Sequence, residues 1–308
     1  MRHLLIGLAM AVSAASCRPT APTKICAIDM GSNSFRRIVG TFADGKYTEL
    51  AIDSRTMGVG DDVAMHGEIS KGKLDQIRLV LNGFSAACAK DGVPNSIAVG
   101  TAAFRDAPNS AAVVALAEQA GIRMEIATEQ RESELAYLVG SLGRDGFAVI
   151  DNGSRSIELV AKPGGTLQHH VFNLGYRVAY EKFFNQRVHD PVEAIQGFRE
   201  HLRPETAKAS FMKGHATLVG VEFMEMAEIL FKKVPDGHVF ALAELKARLD
   251  AIAAAPNDFA ALRVHEDIDR ALPRLVVAVD LMEAFGYSEI VLTSRQLGTG
   301  LIIEAGLR

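Results

Sequence analysis

Hydrophobic and polar positions alternate along this chain between short apolar runs and stretches of helical spacing. "KICAIDM" (24–30) is an apolar run ending in Asp29, and its length and composition predict a buried strand. "SFRRIVGTFADGKYTEL" continues as two strands about an "ADGK" hairpin turn. "DSRTMGVGDDVAMHGEIS", with Gly58, Gly60 and Gly67, predicts a loop-rich stretch. Leu74, Ile77, Leu81, Phe84 and Cys88 recur at three- and four-residue steps, predicting one helix that Gly92 stops. "NSIAVGTAAFRDA" reads as strand, turn and helix start, "NSAAVVALAEQAGI" as a helix, "RMEIAT" as a short strand and "EQRESELAYLVGSLG" as an amphipathic helix.

From Phe147 the pattern restarts. "FAVIDNGSRSIELVAKPGGTLQHHVFNLG" predicts three strands joined by Gly-rich turns. "YRVAYEKFF" begins a helix, and "VHDPVEAIQGFREHLRP" is a second, with Pro191 in its first turn. "ATLVGV" is a strand, helices run to about residue 286, "SEIVLTS" is a last strand, and "GTGLIIEAGL" a short helix or strand end. Strand-first halves followed by helices describe a weak internal duplication, an α/β protein of two lobes. The expected division is an N-terminal domain over 24–138, a C-terminal domain over 139–308 and a preceding segment over 1–23. The cleft between lobes is the natural place for a ligand.

Composition narrows the partners. The 308 residues, 48% hydrophobic, supply core enough for two domains. A formal net charge of −4 lacks the basic footprint of a general nucleic-acid binder, and no nucleic acid is expected. Three cysteines without CxxC or Cys/His spacing argue against zinc. Cys26 in a strand and Cys88 in a helix are expected to be buried structural thiols. "MRHLLIGLAMAVSAASC" places a basic start, an apolar run and small residues before Cys17. It reads as a secretory or lipoprotein signal, against the alternative of a frayed extension or misassigned start, and is too short for an ordinary membrane span.

The candidate chemistry lies in two turns. "AIDMGSNSF" (27–35) and "AVIDNGSRSIELV" (148–160) both end an apolar strand in Asp and pass into small residues. Gly31, Ser32, Asn33 and Ser34 can bring N–H groups and hydroxyls close to phosphate oxygens, and Asp29 can hold a metal ion or orient a water. One such turn alone reads as an ordinary Asx-capped turn. Two in matching places point to a shared phosphate site.

These segments, with "VGTAAFRDAPNS", "EIATEQRESELAYLVG", "FNLGYRVAYEKFF" and "VLTSRQLGTGLIIE", occur in an order that resembles the exopolyphosphatase / guanosine pentaphosphate phosphohydrolase family. The resemblance covers nearly the whole chain from residue 24. It implies a two-domain actin-like fold and release of the terminal phosphate of polyphosphate or guanosine pentaphosphate, with Mg²⁺. It places the general base on Glu132 (Glu129 being the weaker candidate), a phosphate clamp on Arg105, and Asp151 and Glu158 near the metal or water. It places the second phosphate loop on Gly153, Ser154, Arg155 and Ser156. Taken alone, Glu132 among Glu125, Glu129 and Glu134 reads as part of a solvated helix face, and Arg105 with Asp106 as a surface ion pair.

The departures matter as well. Ser154 and Arg155 stand where the family has glycines, so Arg155 is expected either to plug the site or to bind phosphate. Phe223 and Met224 replace a Gly-Thr pair, Gly298 replaces an Arg, and Arg36 replaces a His. Three readings follow: a hydrolase, a catalytically weakened member that binds a phosphorylated ligand or a partner protein, and an actin-like kinase or ATPase. Arg36, Arg37, Arg105, Arg131 and Arg155 are the expected contacts for a long polyanion. The resemblance also implies a homodimer and a cytoplasmic location, with an exported lipoprotein anchored through Cys17 as the alternative.

Overall fold

A computed structural model describes residues 22–185, 190–232, 234–255 and 268–308; the N-terminal segment with Cys17 lies outside them. The first apolar run is β1 (Ile25–Met30). It is covered on both faces, which is why it lacks alternation. It pairs antiparallel with β2 (Ser34–Ala43) and parallel with β4 (Ser96–Gly100). Asp44 and Gly45, both at positive φ, turn β2 into β3 (Lys46–Thr56), as expected of an Asp-Gly hairpin. With β5 (Ile122–Ile126) the sheet order is β3-β2-β1-β4-β5.

The second half repeats the plan. β6 (Phe147–Asn152) pairs antiparallel with β7 (Ile157–Ala161), which pairs with β8 (Gln168–Phe172). On its other side β6 pairs parallel with β9 (Thr217–Val221). β10 (Val239–Ala241) and β11 (Glu289–Thr293) complete the order β10-β11-β9-β6-β7-β8. β1 and β6 thus hold equivalent places, each between a hairpin partner and a parallel strand.

Two expectations are corrected by the helices and the cysteines, and one left open between helix and strand is decided. The 53–70 stretch is not mainly loop: β3 runs to Thr56, and α1 (Val59–His66) follows between Gly58 and Gly67, both left-handed. α2 (Lys71–Lys90) buries Ile77, Leu81, Phe84 and Cys88 as expected. Cys88, however, is not a free thiol. It is joined to Cys26 of β1 in a disulfide, with Cα atoms 6.0 Å apart. The closing "GTGLIIEAGL" is helical throughout, as α11 below.

α3 (Ala102–Asp106) and α4 (Ala111–Gln119) belong to the first half. α5 (Glu129–Ser141) starts at Thr128, whose side chain accepts the Arg131 N–H. The second half carries α6 (Tyr176–Ala179), α7 (Pro191–Lys208), α8 (Met224–Phe231), α9 (Leu242–Ala254), α10 (Ile268–Phe285) and α11 (Leu297–Leu307). Among the described residues no helix is long and apolar enough to cross a membrane.

α5 is buried on nearly every side because it lies between the sheets. Leu135 and Ala136 join Ala27, Ile38 and Val99 in one core; Tyr137 and Val139 join Val149, Val160 and Val219 in another. α11 returns to the first sheet and packs on β1, β2 and α5. The approach is close: a β-carbon at Gly300 would lie 2.8 Å from the Leu135 carbonyl oxygen.

Candidate active site

Both Asp–Gly–Ser turns are built the same way. In the first, the Gly60 N–H donates to the Ser32 carbonyl, and the Met57 and Gly58 N–H groups donate to the Asn33 carbonyl. A trans peptide points its N–H opposite to its C=O, so the Asn33 and Ser34 amides face away from that backing segment. In the second, Tyr176 N–H donates to Gly153 O, Arg177 N–H to Ser154 O and Gly175 N–H to Arg155 O. The Ser154, Arg155 and Ser156 amides are therefore turned away from residues 175–178. Gly175 permits this backing, since a β-carbon there would lie 2.5 Å from both Gly153 O and the Arg155 carbonyl carbon.

The two turns line one cleft of about 280 Å³. Every expected site residue except Arg105 lines it: Asp29, Gly31 to Ser34, Glu132, Asp151, Gly153 to Ser156 and Glu158. Asp29 and Asp151 come from the ends of β1 and β6, and Glu132 from the first turn of α5. Glu132 is buried, not part of a solvated face, because α5 is held between the sheets. Burial lifts its pKa, with the Arg105 guanidinium opposing.

Arg105 differs from its expected role as a phosphate clamp. Its Nη1 donates to Glu132 Oε2 at 2.5 Å and to the Ala127 carbonyl at 2.9 Å. It meets the carboxylate of Glu132 and does not itself line the cleft. Arg37 and Arg131 do not line the cleft either. Arg37 pairs with Asp53 and Asp91, and Arg131 with Glu125 and Glu304. Arg36 does line the cleft, as does Arg155, which reaches across to Asp106 at 3.3 Å.

The acidic floor is strongly perturbed. Burial pushes Asp29 up to about 7, with Glu222 and Glu132 adding to it, while Arg36 and the Gly298 N–H oppose. Burial, then Glu222, Glu132 and Asp29, raise Asp151 well above the ordinary range; burial, then Glu132 and Asp151, do the same for Glu158. Asp29, Asp151 and Glu158, the expected metal ligands, all line the cleft, and among the described residues no three acidic, His or Cys side chains are gathered closely enough to hold a metal ion as they stand. Glu158 instead accepts the Ser156 hydroxyl at 2.5 Å. Asp151 Oδ1 is buried without a hydrogen-bond partner. An all-oxygen set offering one or two carboxylates fits Mg²⁺, which usually takes its other ligands from water and substrate phosphate.

Sequence reasoning missed Glu222, Glu225, Tyr176 and Arg274, which also line the cleft. They are gathered by packing of the second lobe: Tyr176 lies within "FNLGYRVAYEKFF" and Glu222 and Glu225 flank Phe223 and Met224, but no spacing marks them as cleft residues.

Paired Asp–Gly–Ser turns on equivalent strands of a two-domain actin-like fold, facing one acidic cleft, define the class of protein. The chain belongs to the Ppx/GppA phosphatase family, whose sequence model matches residues 38–305. It is similar in structure to the Aquifex aeolicus family member, at 23% identity and TM-score 0.79, over 93% of this chain and 98% of that one. It is also similar to an exopolyphosphatase from Cytophaga hutchinsonii, at 18% identity and TM-score 0.70, over 92% and 98%. No curated protein matches.

Proposed function

We propose that this phosphatase releases the terminal phosphate of inorganic polyphosphate or guanosine pentaphosphate, using water activated by Glu132. The observation that carries the reading is a buried carboxylate, ion-paired to Arg105, lining the same cleft as both turns. The amides of Asn33, Ser34 and Ser154 to Ser156 take the terminal phosphoryl oxygens. Glu132, in the ionised form that Arg105 favours, accepts a proton from the attacking water as oxygen bonds to phosphorus and the bridging P–O bond breaks. Mg²⁺ held by Asp29 and Asp151 would neutralise phosphate charge.

The test is orthophosphate release by the purified protein from polyphosphate, guanosine pentaphosphate and ATP, with and without Mg²⁺. Release should need Mg²⁺ and favour one of the first two substrates. Glu132→Gln should cost roughly 10²–10⁴-fold in turnover; unchanged turnover removes Glu132 from the role.

A binding-only reading draws support from Arg155, which spans the cleft to Asp106 in place of a glycine. Absence of turnover in both wild type and Arg155→Gly, at any Mg²⁺ concentration, would favour it. The Cys26–Cys88 bond supports an oxidising compartment over the cytoplasm, where thiols are kept reduced. Cell fractionation with and without residues 1–17 decides between them.

A further inference from the structure

Two arginines of the cleft converge on one carboxylate. Arg36, on β2, donates through Nη1 to Glu222 Oε1 at 3.0 Å and to Gln296 Oε1 at 2.5 Å. Arg274, on α10, brings Nη2 to 3.9 Å from Glu222 Oε2 and Nη1 to 3.2 Å from Glu225 Oε2. Its guanidinium carbon lies 3.7 Å from the centre of the Tyr176 ring, and its side chain is only 1% exposed. Glu222 therefore sits between a cation of the first lobe and a cation of the second, inside the cleft that both turns face.

Glu222 is held there against local preference. It follows β9 at φ 66°, a left-handed conformation that side chains with a β-carbon adopt reluctantly. Such conformations persist where the surroundings over-determine them, often at ligand sites. Planar guanidinium groups match paired anionic oxygens, whether of a carboxylate or of a phosphoryl group. Glu222 is about a fifth exposed, so its carboxylate has a solvent side to move into.

We propose that Arg36 and Arg274 form an anion seat for a phosphoryl group of the substrate, with Glu222 as its resident stand-in, displaced when phosphate enters. With Glu222 in place, its carboxylate offsets the charge of the two arginines; with Glu222 turned out, the seat is one unit more positive. Phosphate affinity is thereby set below what two buried arginines would give, because the competing carboxylate must first be displaced. The inference rests on reading the cleft as a phosphate site, and its test reads binding, not turnover.

The experiment is calorimetric titration of the full chain with orthophosphate and tripolyphosphate, at low and high salt. Removing a unit charge beside a bound phosphate is worth on the order of tenfold in affinity. Glu222→Gln should tighten binding at least about fivefold. Glu222→Gly should do the same with the fold intact, since glycine suits the left-handed backbone. Glu225→Gln, which relieves Arg274 alone, should change affinity less. Arg274→Lys in the Glu222→Gln background should remove the gain, because the fork is lost. Unchanged or weaker binding in both Glu222 variants overturns the proposal, as does an equal gain from Glu225→Gln. A wild-type protein that hydrolyses nothing, yet shows this order of affinities, supports the seat and counts against the hydrolase alone.

Discussion

Glu132 is held between burial, which favours its neutral form, and Arg105, which favours the ionised form. A general base works only when ionised, so activity should fall as pH drops through a pKa above the ordinary carboxylate range. The acid limb of kcat/KM against pH, measured with a short substrate, reports this group in the free enzyme. Arg105→Gln removes the cation and should move that limb to higher pH; a limb unmoved or shifted down would show that Arg105 does not tune Glu132. At this scale the sequence was legible wherever the signal was local. Asp29, Gly31 to Ser34, Asp151 and Gly153 to Ser156 sit in strand–Asp–small-residue turns that can be read directly. Glu132 could be chosen over its acidic neighbours only from the order of segments along the chain. Glu222 and Arg274 meet only because α10 packs on α8 and α6, beside the residue that follows β9, and no spacing reports that.

The elements that position Glu132 are α5 and α11, and their seam depends on a close backbone approach at Gly300. A β-carbon there meets a carbonyl oxygen, not a side chain that can swing aside. Gly300→Ala should cost about 1–3 kcal/mol by overpacking, and so lower Tm by roughly 2–10 °C. It should also reduce turnover, because Gly298, on the same helix, donates its N–H to Asp29. Gly72→Ala is the control: nothing lies within 4 Å of its β-carbon, and a helical Gly→Ala change is neutral or mildly stabilising. Equal melting shifts in the two variants would show that the seam tolerates the added atom. The strands were readable because both central ones are continuous apolar runs. α11 was ambiguous because it is apolar on most sides, so period alone could not separate helix from strand. α1 was hidden because Gly58 and Gly67 read as loop when they are its two ends.

Across the whole molecule, two features bear on stability, and one was invisible in the sequence. The disulfide joins residues 62 apart along the chain; no spacing rule pairs Cys26 with Cys88, since their meeting depends on α2 packing over β1. Closing such a loop is worth about 2–4 kcal/mol, so Cys88→Ser should lower Tm by several degrees, and thiol titration of the denatured chain should find two more thiols after reduction than before it. The second feature is the acidic cleft. A carboxyl group whose pKa is raised by folding holds its proton longer in the native state than in the unfolded one. Between the two pKa values the native state binds more protons, so stability falls as pH rises. For Asp29 that window runs from 3.8 to about 7, and Asp151 and Glu158 shift in the same direction. In EDTA the protein should therefore melt higher at about pH 5 than at about pH 8, and Asp29→Asn should flatten part of that slope. If Mg²⁺ is held as proposed, it binds the ionised carboxylates, and its stabilising effect should be larger at the higher pH. Melting curves across this range, with EDTA and with saturating Mg²⁺, test both statements. A Tm in EDTA that rises with pH, or a Mg²⁺ gain equal at both ends, would mean that these carboxyl groups are solvated and already charged, and that the cleft does not hold the cation through Asp29 and Asp151.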